Sequence, residues 1–245
     1  MSLNDEKKLT LLASWIKESR HTVVLTGAGM STESGIPDFR SSKGLWRNID
    51  PRTVASKDAL DNNYELFRDF YTMRIENLRD CKPHEGHKIL ADWERRGFIS
   101  CIATQNVDGL HHMAGSEKIY ELHGNIRTIR CEDCDAPAEM TEFLERKPCP
   151  NCGGKLRPNV VLFGESLPYT ELYNATQEIS KAELVIVIGT SLQVYPVSQL
   201  PDLCKGKKVY INLDVDIHSH QFDLVIKGSA RDVLTRTNTL LQEVG

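Results

Sequence analysis

Four cysteines in the middle of the chain have the spacing of a metal site. They form two Cys-x-x-Cys pairs, Cys131 with Cys134 and Cys149 with Cys152, and fourteen residues separate the pairs. Each pair can offer two thiolates to one ion, and the intervening loop lets the second pair face the first. Four protein ligands complete the tetrahedral coordination of Zn²⁺, so we expect one structural zinc in a ribbon module and the chemistry elsewhere. A redox dithiol or a disulfide pair is the less favoured alternative.

A glycine loop after the first predicted strand is a candidate for nucleotide binding. The strand at 22–26 leads into Gly27-Ala28-Gly29, whose backbone can approach a pyrophosphate. Gly35 comes later than a dinucleotide fingerprint requires, and no obvious acidic residue ends the next strand, so an ordinary Rossmann dehydrogenase is a poor fit. The loop continues to Asp38-Phe39-Arg40, a segment rich enough in functional groups to lie over a bound nucleotide.

Polar segments also follow three later strands. They are Thr104-Gln105-Asn106-Val107-Asp108, Gly189-Thr190-Ser191 and Asn212-Leu213-Asp214. The carboxyl ends of parallel strands meet at one edge of a sheet, where ligands of such folds bind. Amide, hydroxyl and carboxylate groups at that edge can hold a ring substituent, a ribose or an adenine, although Asn-x-Asp is also ordinary turn chemistry. With the glycine loop, these segments predict one coherent site.

His123 is the candidate general base. It lies just before the cysteine module, and imidazole is the side chain most easily poised as a base near neutral pH. A lone histidine is more often structural, so the assignment depends on the rest of the site. We expect the neighbouring His111 and His112 on a surface turn, outside the site.

The alternation of strands with helices predicts an α/β fold. Strand patterns are at 22–26, 99–104, 184–188, 208–213 and 224–226, and helical patterns are at 9–16, 84–96, 167–179 and 230–244. This order implies a Rossmann-like parallel sheet with helices on both faces. A long helical stretch at 58–78 belongs to no strand–helix–strand unit, so it is a second candidate insertion beside the zinc ribbon.

We therefore expect a large nucleotide-binding domain and a smaller domain of two modules. The large domain would comprise 1–40, 93–127 and 157–245, the inserted helical module 41–92, and the zinc-ribbon module 128–156.

Composition narrows the class of protein. With 245 residues, 40% hydrophobic and 26% charged, the chain is an ordinary globular sequence, and its net charge of −4 gives no broad basic surface for nucleic acid. A local group of cations is interpreted as a solvated rim of the ribbon: Arg127, Arg130, Lys147, Lys155 and Arg157. No run reaches the ~18 apolar residues of a membrane span, and no signal peptide is expected. Cysteines outside the two pairs suit a reducing compartment, so we expect a cytoplasmic protein, and we expect it to be monomeric.

Taken together, the motifs resemble those of the sirtuins, the NAD-dependent protein-lysine deacylases. From about residue 10 to 243 the motifs named above occur in sirtuin order, and so do Gly35-Ile36-Pro37 and Phe163-Gly164-Glu165. As a set they are far more specific than the glycine loop alone. The resemblance implies NAD as co-substrate and acylated-lysine proteins or peptides as substrates.

The same resemblance implies a role for each segment. NAD would lie against Gly27, Ala28, Gly29, Thr32, Asp38, Phe39 and Arg40, in a loop that closes over it. The nicotinamide would be held by Asn106, Val107 and Asp108, and the ribose by Gln105. The adenosine end would meet Asn212, Leu213, Asp214 and Ala230, with Gly189, Thr190 and Ser191 between. His123 would be the general base for the ribose hydroxyls, and the products would be nicotinamide, 2′-O-acyl-ADP-ribose and free lysine.

The substrate residues are implied in the same way. The peptide would enter as an added strand between Phe163-Gly164-Glu165 and Val194. Tyr71 and Arg74 lie one turn apart on a helix, as in sirtuins that remove succinyl, malonyl or glutaryl groups, where this pair meets the acyl carboxylate. The alternative is a purely structural role, in which Arg74 pairs on the surface with Glu65, Asp69 or Glu76 and Tyr71 is part of the core. Acetyl groups would still enter such a pocket.

Two other functions remain open on the sequence. A protein mono-ADP-ribosyltransferase would use the same co-substrate but transfer ADP-ribose to a protein acceptor. A non-catalytic module would bind NAD or nucleic acid, with the ribbon making contacts. Substitution of His123 would abolish turnover in an enzyme and would cost a binding module nothing.

Overall fold

The computed structural model describes residues 3–39, 44–47, 49–215 and 221–243. Arg40, one of the predicted NAD-binding residues, lies outside them. Among the described residues, no helix combines the length and apolar character needed to cross a bilayer.

Two sheets organise the chain. Their strands are β1 (Thr22–Thr26), β2 (Cys101–Thr104), β3 (Ile119–Glu121), β4 (Gly124–Cys131), β5 (Pro137–Ala138), β6 (Leu156–Val160), β7 (Leu184–Ile188), β8 (Lys207–Asn212) and β9 (Leu224–Lys227). Six form one sheet in the order β3-β2-β1-β7-β8-β9, in which every neighbouring pair is parallel. The predicted parallel sheet is confirmed. The strand predicted at 99–104 begins only at Cys101, and the short edge strand β3 was not predicted.

The helices of the described chain are α1 (Leu3–Glu18), α2 (Pro51–Val54), α3 (Lys57–Asn62), α4 (Tyr64–Asn77), α5 (Glu85–Arg95), α6 (Leu110–Ala114), α7 (Met140–Leu144), α8 (Tyr169–Lys181) and α9 (Ala230–Glu243). Helices α1, α5 and α9 pack together on one face of the large sheet, and α8 packs near its other face beside a short 3₁₀ segment, Val197–Leu203.

The central strands explain why helices cover both faces. Side chains alternate across a strand: Val24 and Ile186 lie in the hydrophobic cluster with α1, α5 and α9, whereas Val23 and Val185 lie in the cluster with α8. All five residues of β7 are buried apolar side chains, as expected for a parallel strand covered on both sides.

The long helix predicted at 58–78 is wrong in its continuity. It is two helices, α3 and α4, because Asn63 between them has φ −141° and ψ 54°. Consecutive asparagines at 62 and 63 favour caps and turns over a helix interior, since their side chains compete for backbone hydrogen bonds. Helix α4 carries Tyr71 and Arg74, which line the cavity described below.

The smaller sheet is antiparallel, with the order β5-β4-β6, and carries the cysteine module. A third hydrophobic cluster joins it to the inserted helices: Phe67 and Phe70 of α4 are buried with Ile129, Phe143 and Leu156 of the module. The helices and the ribbon therefore share one core, separate from those on the faces of the large sheet.

Candidate active site

A cavity of about 700 Å³ opens at the carboxyl ends of β1, β2, β7 and β8, between the large sheet and the smaller modules. Most of the predicted site residues line it. Of the residues predicted for the cofactor and the base, those that line it are Ala28, Gly29, Thr32, Asp38, Phe39, Gln105, Asn106, Val107, Gly189, Thr190, Ser191, Asn212, Leu213, Asp214 and His123. Of those predicted for the substrate, they are Tyr71, Arg74, Phe163, Gly164, Glu165 and Val194.

Three predicted residues lie elsewhere. Asp108 lines a side cavity of about 50 Å³, which shares Ala28, Phe39 and Arg74 with the main one. Gly27 packs against Thr190, and Ala230 is buried at the start of α9. Neither lines the described cavities.

The glycines of the first loop are explained by packing against the end of β7. A Cβ on Gly27 would lie 2.6 Å from the Cβ of Thr190, and a Cβ on Gly29 would lie 2.8 Å from the Cα of Gly189. The backbone N–H of Gly29 donates to the carbonyl of Gly189 at 2.7 Å. The two loops can only interdigitate in this way without side chains, and they form one floor of the cavity.

His123 stands at the junction of β3 and β4 as a neutral base. Its Nδ1 lies 3.1 Å from the backbone carbonyl of Gln105. A carbonyl can only accept, so Nδ1 carries the proton and Nε2 keeps a free lone pair. Burial lowers the pKa of His123 below its ordinary value, which keeps the ring neutral near pH 7. The arrangement can accept a proton from a hydroxyl in the cavity.

Polar groups converge on the side cavity. Asn106 donates from Nδ2 to Ser31 Oγ at 3.1 Å, and the backbone N–H of Leu110 donates to Asp108 Oδ1 at 2.9 Å. Burial raises the pKa of Asp108, opposed by this N–H, by Ser31 and by Arg127 and Arg74. A buried carboxyl and a carboxamide in the lining of one small cavity suit recognition of a planar amide.

Arg74 points into the cavities from α4. Its guanidinium carbon lies 5.3 Å from the ring centre of Phe39 and 5.9 Å from that of Tyr71. Burial lowers the pKa of Arg74, and Tyr71 and Asp108 oppose that effect. Tyr71 is 2% exposed, and burial raises its pKa to about 12. The phenol therefore stays neutral and faces the guanidinium from within the core.

The surface pairing considered for Arg74 is wrong. Glu65 pairs with Arg68 and Arg146, and Asp69 pairs with Arg146. Among the described residues, no carboxylate makes an ion pair with Arg74.

This site and fold match a known family. The model of the Sir2 family matches residues 27–196. The chain belongs to the Sir2 family. It is 48% identical over 238 residues to NAD-dependent protein deacetylase 1 of Geobacillus kaustophilus (strain HTA426), which covers 95% of this chain and 98% of the relative. It is 37% identical over 241 residues to NAD-dependent protein deacylase 2 of Archaeoglobus fulgidus, with coverage of 94% and 95%.

A solved structure of Sir2 with a p53 peptide and NAD⁺ is also similar. Its TM-score is 0.84 at 34% identity, and the match covers 96% of this chain and 98% of that one. The sirtuin resemblance expected from the motifs is confirmed.

The cysteine module of this Sir2 protein fits one zinc ion. The four sulfurs of Cys131, Cys134, Cys149 and Cys152 lie within 4.8 Å of one another. Two of the separations are 3.5 Å, between Cys131 and Cys152, and 3.7 Å, between Cys134 and Cys149. A tetrahedral Zn²⁺ with Zn–S distances of ~2.3 Å needs sulfurs ~3.8 Å apart. The site has four thiolates and no open position, which suits a structural metal.

The solvated rim expected of the nearby cations is wrong for three of them. Arg157 is 0% exposed. Arg127 donates from Nε to the carbonyl of Asp108 at 2.6 Å, and Lys155 donates to the carbonyls of Leu60 and Asp61. These cations join the ribbon to the inserted helices and to the Sir2 site, because each donates to a carbonyl or carboxylate group of another segment.

The surface turn expected for His111 is also wrong. It is 2% exposed, and its Nε2 lies 3.0 Å from Thr26 Oγ1 at the end of β1. His87 of α5 packs 5.0 Å from it, ring centre to ring centre, and lies 3.5 Å from Ser31 Oγ. Burial lowers the pKa of His111 to about 3 and that of His87 to about 2. Sequence reasoning missed these neutral histidines beneath the cavity; the spacing of His84 and His87, one helical turn, was the available signal.

Proposed function

We propose that this chain is an NAD-dependent protein-lysine deacylase. In this reaction the acyl oxygen displaces nicotinamide from C1′ of the NAD ribose, the acyl carbon then passes to the 2′-hydroxyl, and one water is consumed as lysine leaves. The products are nicotinamide, 2′-O-acyl-ADP-ribose and free lysine. Curated relatives of full length bear the names NAD-dependent protein deacetylase and deacylase, which supports the activity. Neither the transferase nor the binding-module alternative is favoured by these relatives.

The position and tautomer of His123 carry the proposal. It lines the cavity together with the proposed cofactor residues Gln105 and Asn106 and the proposed peptide residue Phe163. Its free Nε2 can take the proton of a ribose hydroxyl when that oxygen attacks the acyl carbon. A positioned base of this kind contributes typically ~10²–10⁴-fold to the rate.

Gln105 would hold the ribose, and its own side chain is already held. Its Nε2 donates to Thr190 Oγ1 at 2.9 Å, which leaves its carboxamide oxygen for a hydroxyl. Because the carbonyl of Gln105 also fixes His123, one residue would set the base and its target hydroxyl in register.

The peptide would lie along the segment Phe163–Glu165. The backbone N–H of Phe163 donates to Ala55 and its carbonyl accepts from Lys57, so this residue is anchored to the inserted module. A substrate strand would form main-chain hydrogen bonds with Gly164 and Glu165 on one side and with the segment at Val194 on the other. Peptide affinity would then come from the main chain, with little choice of sequence.

We propose further that the acyl pocket accepts succinyl and malonyl groups. Arg74 has its guanidinium in the cavity without a carboxylate in ion-pair contact among the described residues, and Tyr71 presents its ring beside it. An acyl carboxylate would supply that partner, with a charged hydrogen bond of about 1.5–3 kcal/mol. A neutral acetyl group would still fit.

Matched acetyl-lysine and succinyl-lysine peptides test the acyl preference. Arg74→Met should lower kcat/KM for the succinyl peptide by about tenfold to a hundredfold and leave acetyl turnover largely unchanged. Arg79→Met is the control, since Arg79 is exposed just beyond the same helix. Acetyl turnover alone in the wild type, with no effect of Arg74→Met, would make this a plain deacetylase.

A further inference from the structure

A buried arginine links the cysteine module to the proposed substrate groove. Arg157 of β6 is 0% exposed, and its guanidinium contacts two carboxylates. Glu165 receives it in a two-point contact, with Nη1 to Oε1 at 2.5 Å and Nη2 to Oε2 at 2.9 Å. Glu132 receives Nη1 at 3.0 Å. Glu132 lies between Cys131 and Cys134, and Glu165 lines the cavity.

Glu165 in turn fixes the loop that carries it. Its Oε2 accepts the backbone N–H of Leu162 at 2.8 Å, and Arg157 Nη2 also donates to the carbonyl of Val160 at 2.7 Å. Burial opposes ionisation of Glu165, but Arg157 and the Leu162 N–H hold its pKa below the ordinary value. The loop from Val160 to Glu165 is thus closed around one guanidinium.

A second connection to this loop also starts from Glu132. Glu132 Oε1 accepts from Lys57 Nζ at 2.9 Å. The backbone N–H of Lys57 donates to the carbonyl of Phe163 at 3.0 Å. Glu132 is therefore connected to both ends of the Phe163–Glu165 segment. It reaches Glu165 through Arg157, and it reaches Phe163 through Lys57.

The burial of Arg157 makes the protein sensitive to the loss of any of its partners. A buried ion pair is stabilising only when its remaining hydrogen-bonding groups are satisfied, and removal of one partner leaves an uncompensated charge. A guanidinium can serve two carboxylates and a carbonyl at once because its donors form a planar fork, which an ammonium group cannot reproduce.

We propose that Arg157 is a positioning residue that couples the zinc module to the substrate groove and so sets peptide affinity. The inference rests on the proposed deacylase function for its kinetic consequence. Zinc would hold the turn between Cys131 and Cys134, this turn would place Glu132, and Arg157 would place the Phe163–Glu165 segment against which the peptide pairs. NAD affinity should be independent of this chain of contacts, since none of its members lies on the glycine loop or at the ends of β1, β7 and β8.

Arg157→Lys is the main variant, because it keeps the charge and loses the fork. We expect its KM for an acetyl-lysine peptide to rise on the order of tenfold, with kcat and the Kd for NAD within about threefold of wild type. Glu132→Gln should also raise the peptide KM, but by a smaller factor, because the ion pair between Arg157 and Glu165 would remain. Zinc content, measured with a chromophoric chelator, should stay at the wild-type level in both.

Arg130→Lys is the matched control. Arg130 stands directly opposite Arg157 in the β4–β6 pairing, and it also approaches Glu132, at 3.8 Å. Its ion pairs among the described residues are with Glu132 and Asp135, and none is with Glu165. Its substitution should leave the peptide KM unchanged.

Amide hydrogen exchange provides a readout that does not depend on activity. Exchange in a fragment spanning 160–167 should be faster in Arg157→Lys, in Glu132→Gln and in wild type stripped of zinc, and unchanged in Arg130→Lys. Unaltered exchange in the variants, or an equal loss of peptide and NAD affinity, would overturn the coupling. A wild type that exchanges as expected but never deacylates would refute the proposed function and leave the coupling intact.

Discussion

The Nδ1 atom of His123 lies 3.1 Å from the backbone carbonyl of Gln105, and the side chain of Gln105 is bonded to Thr190 at 2.9 Å. One residue at the carboxyl end of β2 thus fixes the tautomer of the base and joins it to the end of β7. The lone pair of Nε2 is left for the cavity.

His123→Ala should lower kcat by about 10²–10⁴-fold, because the ribose hydroxyl would lose its base. Affinity for NAD should change little, since Gln105, Asn106 and the glycine loop remain. Turnover on an acetyl-lysine peptide and NAD binding by calorimetry measure the two quantities. His112→Ala serves as control, because His112 is exposed and does not line the cavity. Equal loss in both variants would argue against a base.

The pH profile should reflect the burial of His123. Burial disfavours the imidazolium form, so its pKa lies below the ordinary value of 6.5. The ring is then mostly neutral at pH 6.5, and the acid limb of kcat/KM should be centred below that pH. An acid limb centred above pH 6.5 in rate measurements would contradict this environment.

The buried neutral histidines should make the free energy of unfolding fall as the pH is lowered. Burial lowers the pKa of His87 to about 2 from an ordinary 6.5, so between these values the unfolded chain binds a proton that the folded chain does not. The contribution is intact above pH 6.5 and is lost as pH falls toward the folded value, by up to ~1.4 kcal/mol per pH unit. Urea unfolding at pH 7.5 and 5.0 should show a smaller loss for His87→Gln than for wild type. An identical loss in both would refute the assignment.

Gly189 and Gly97 form a matched pair for the interlocked loops. Both have positive φ, 64° and 77°, but a Cβ on Gly189 would overlap the backbone nitrogen of Met30, whereas one on Gly97 meets nothing. Gly97→Ala should cost about 1–2 kcal/mol of unfolding free energy for the left-handed conformation. Gly189→Ala should cost about 1–3 kcal/mol more for the overlap. Urea midpoints check the order, and similar costs would show that the loops do not interlock.

Loss of one zinc ligand should remove the metal and the activity together. In Cys149→Ser the ribbon would lose its fourth thiolate, and the shared core with α4 would loosen. Zinc content and deacylation are the measurements, with Cys81→Ser as control since Cys81 lies outside the cluster. Full turnover in a metal-free protein would contradict a structural role for zinc.

The sequence predicted the parallel sheet because its signals are local. The apolar run of β7 and the glycines before Met30 need only neighbours along the chain to be recognised. The spacing of the two cysteine pairs likewise predicted that their four sulfurs form one cluster. The candidate site followed from one rule, that carboxyl ends of parallel strands gather at one edge.

What escaped prediction depends on contacts across long separations. Nothing local distinguishes Arg157 from Arg130, yet Arg157 is buried between two carboxylates, whereas Arg130 is half-buried and pairs with the exposed Asp135. His111 was expected on a surface turn, and the packing of α5 against α6 makes it part of the core. The break at Asn63 was visible in the residue types, but periodicity alone passed over it.

Product analysis tests the central claim most directly. Wild-type protein, NAD and an acetyl-lysine peptide should give nicotinamide, 2′-O-acetyl-ADP-ribose and deacetylated peptide in equal amounts by mass spectrometry, and His123→Ala should give almost none of the last two. ADP-ribose attached to protein while the acetyl-lysine stays intact, or no NAD consumption at all, would contradict the deacylase account.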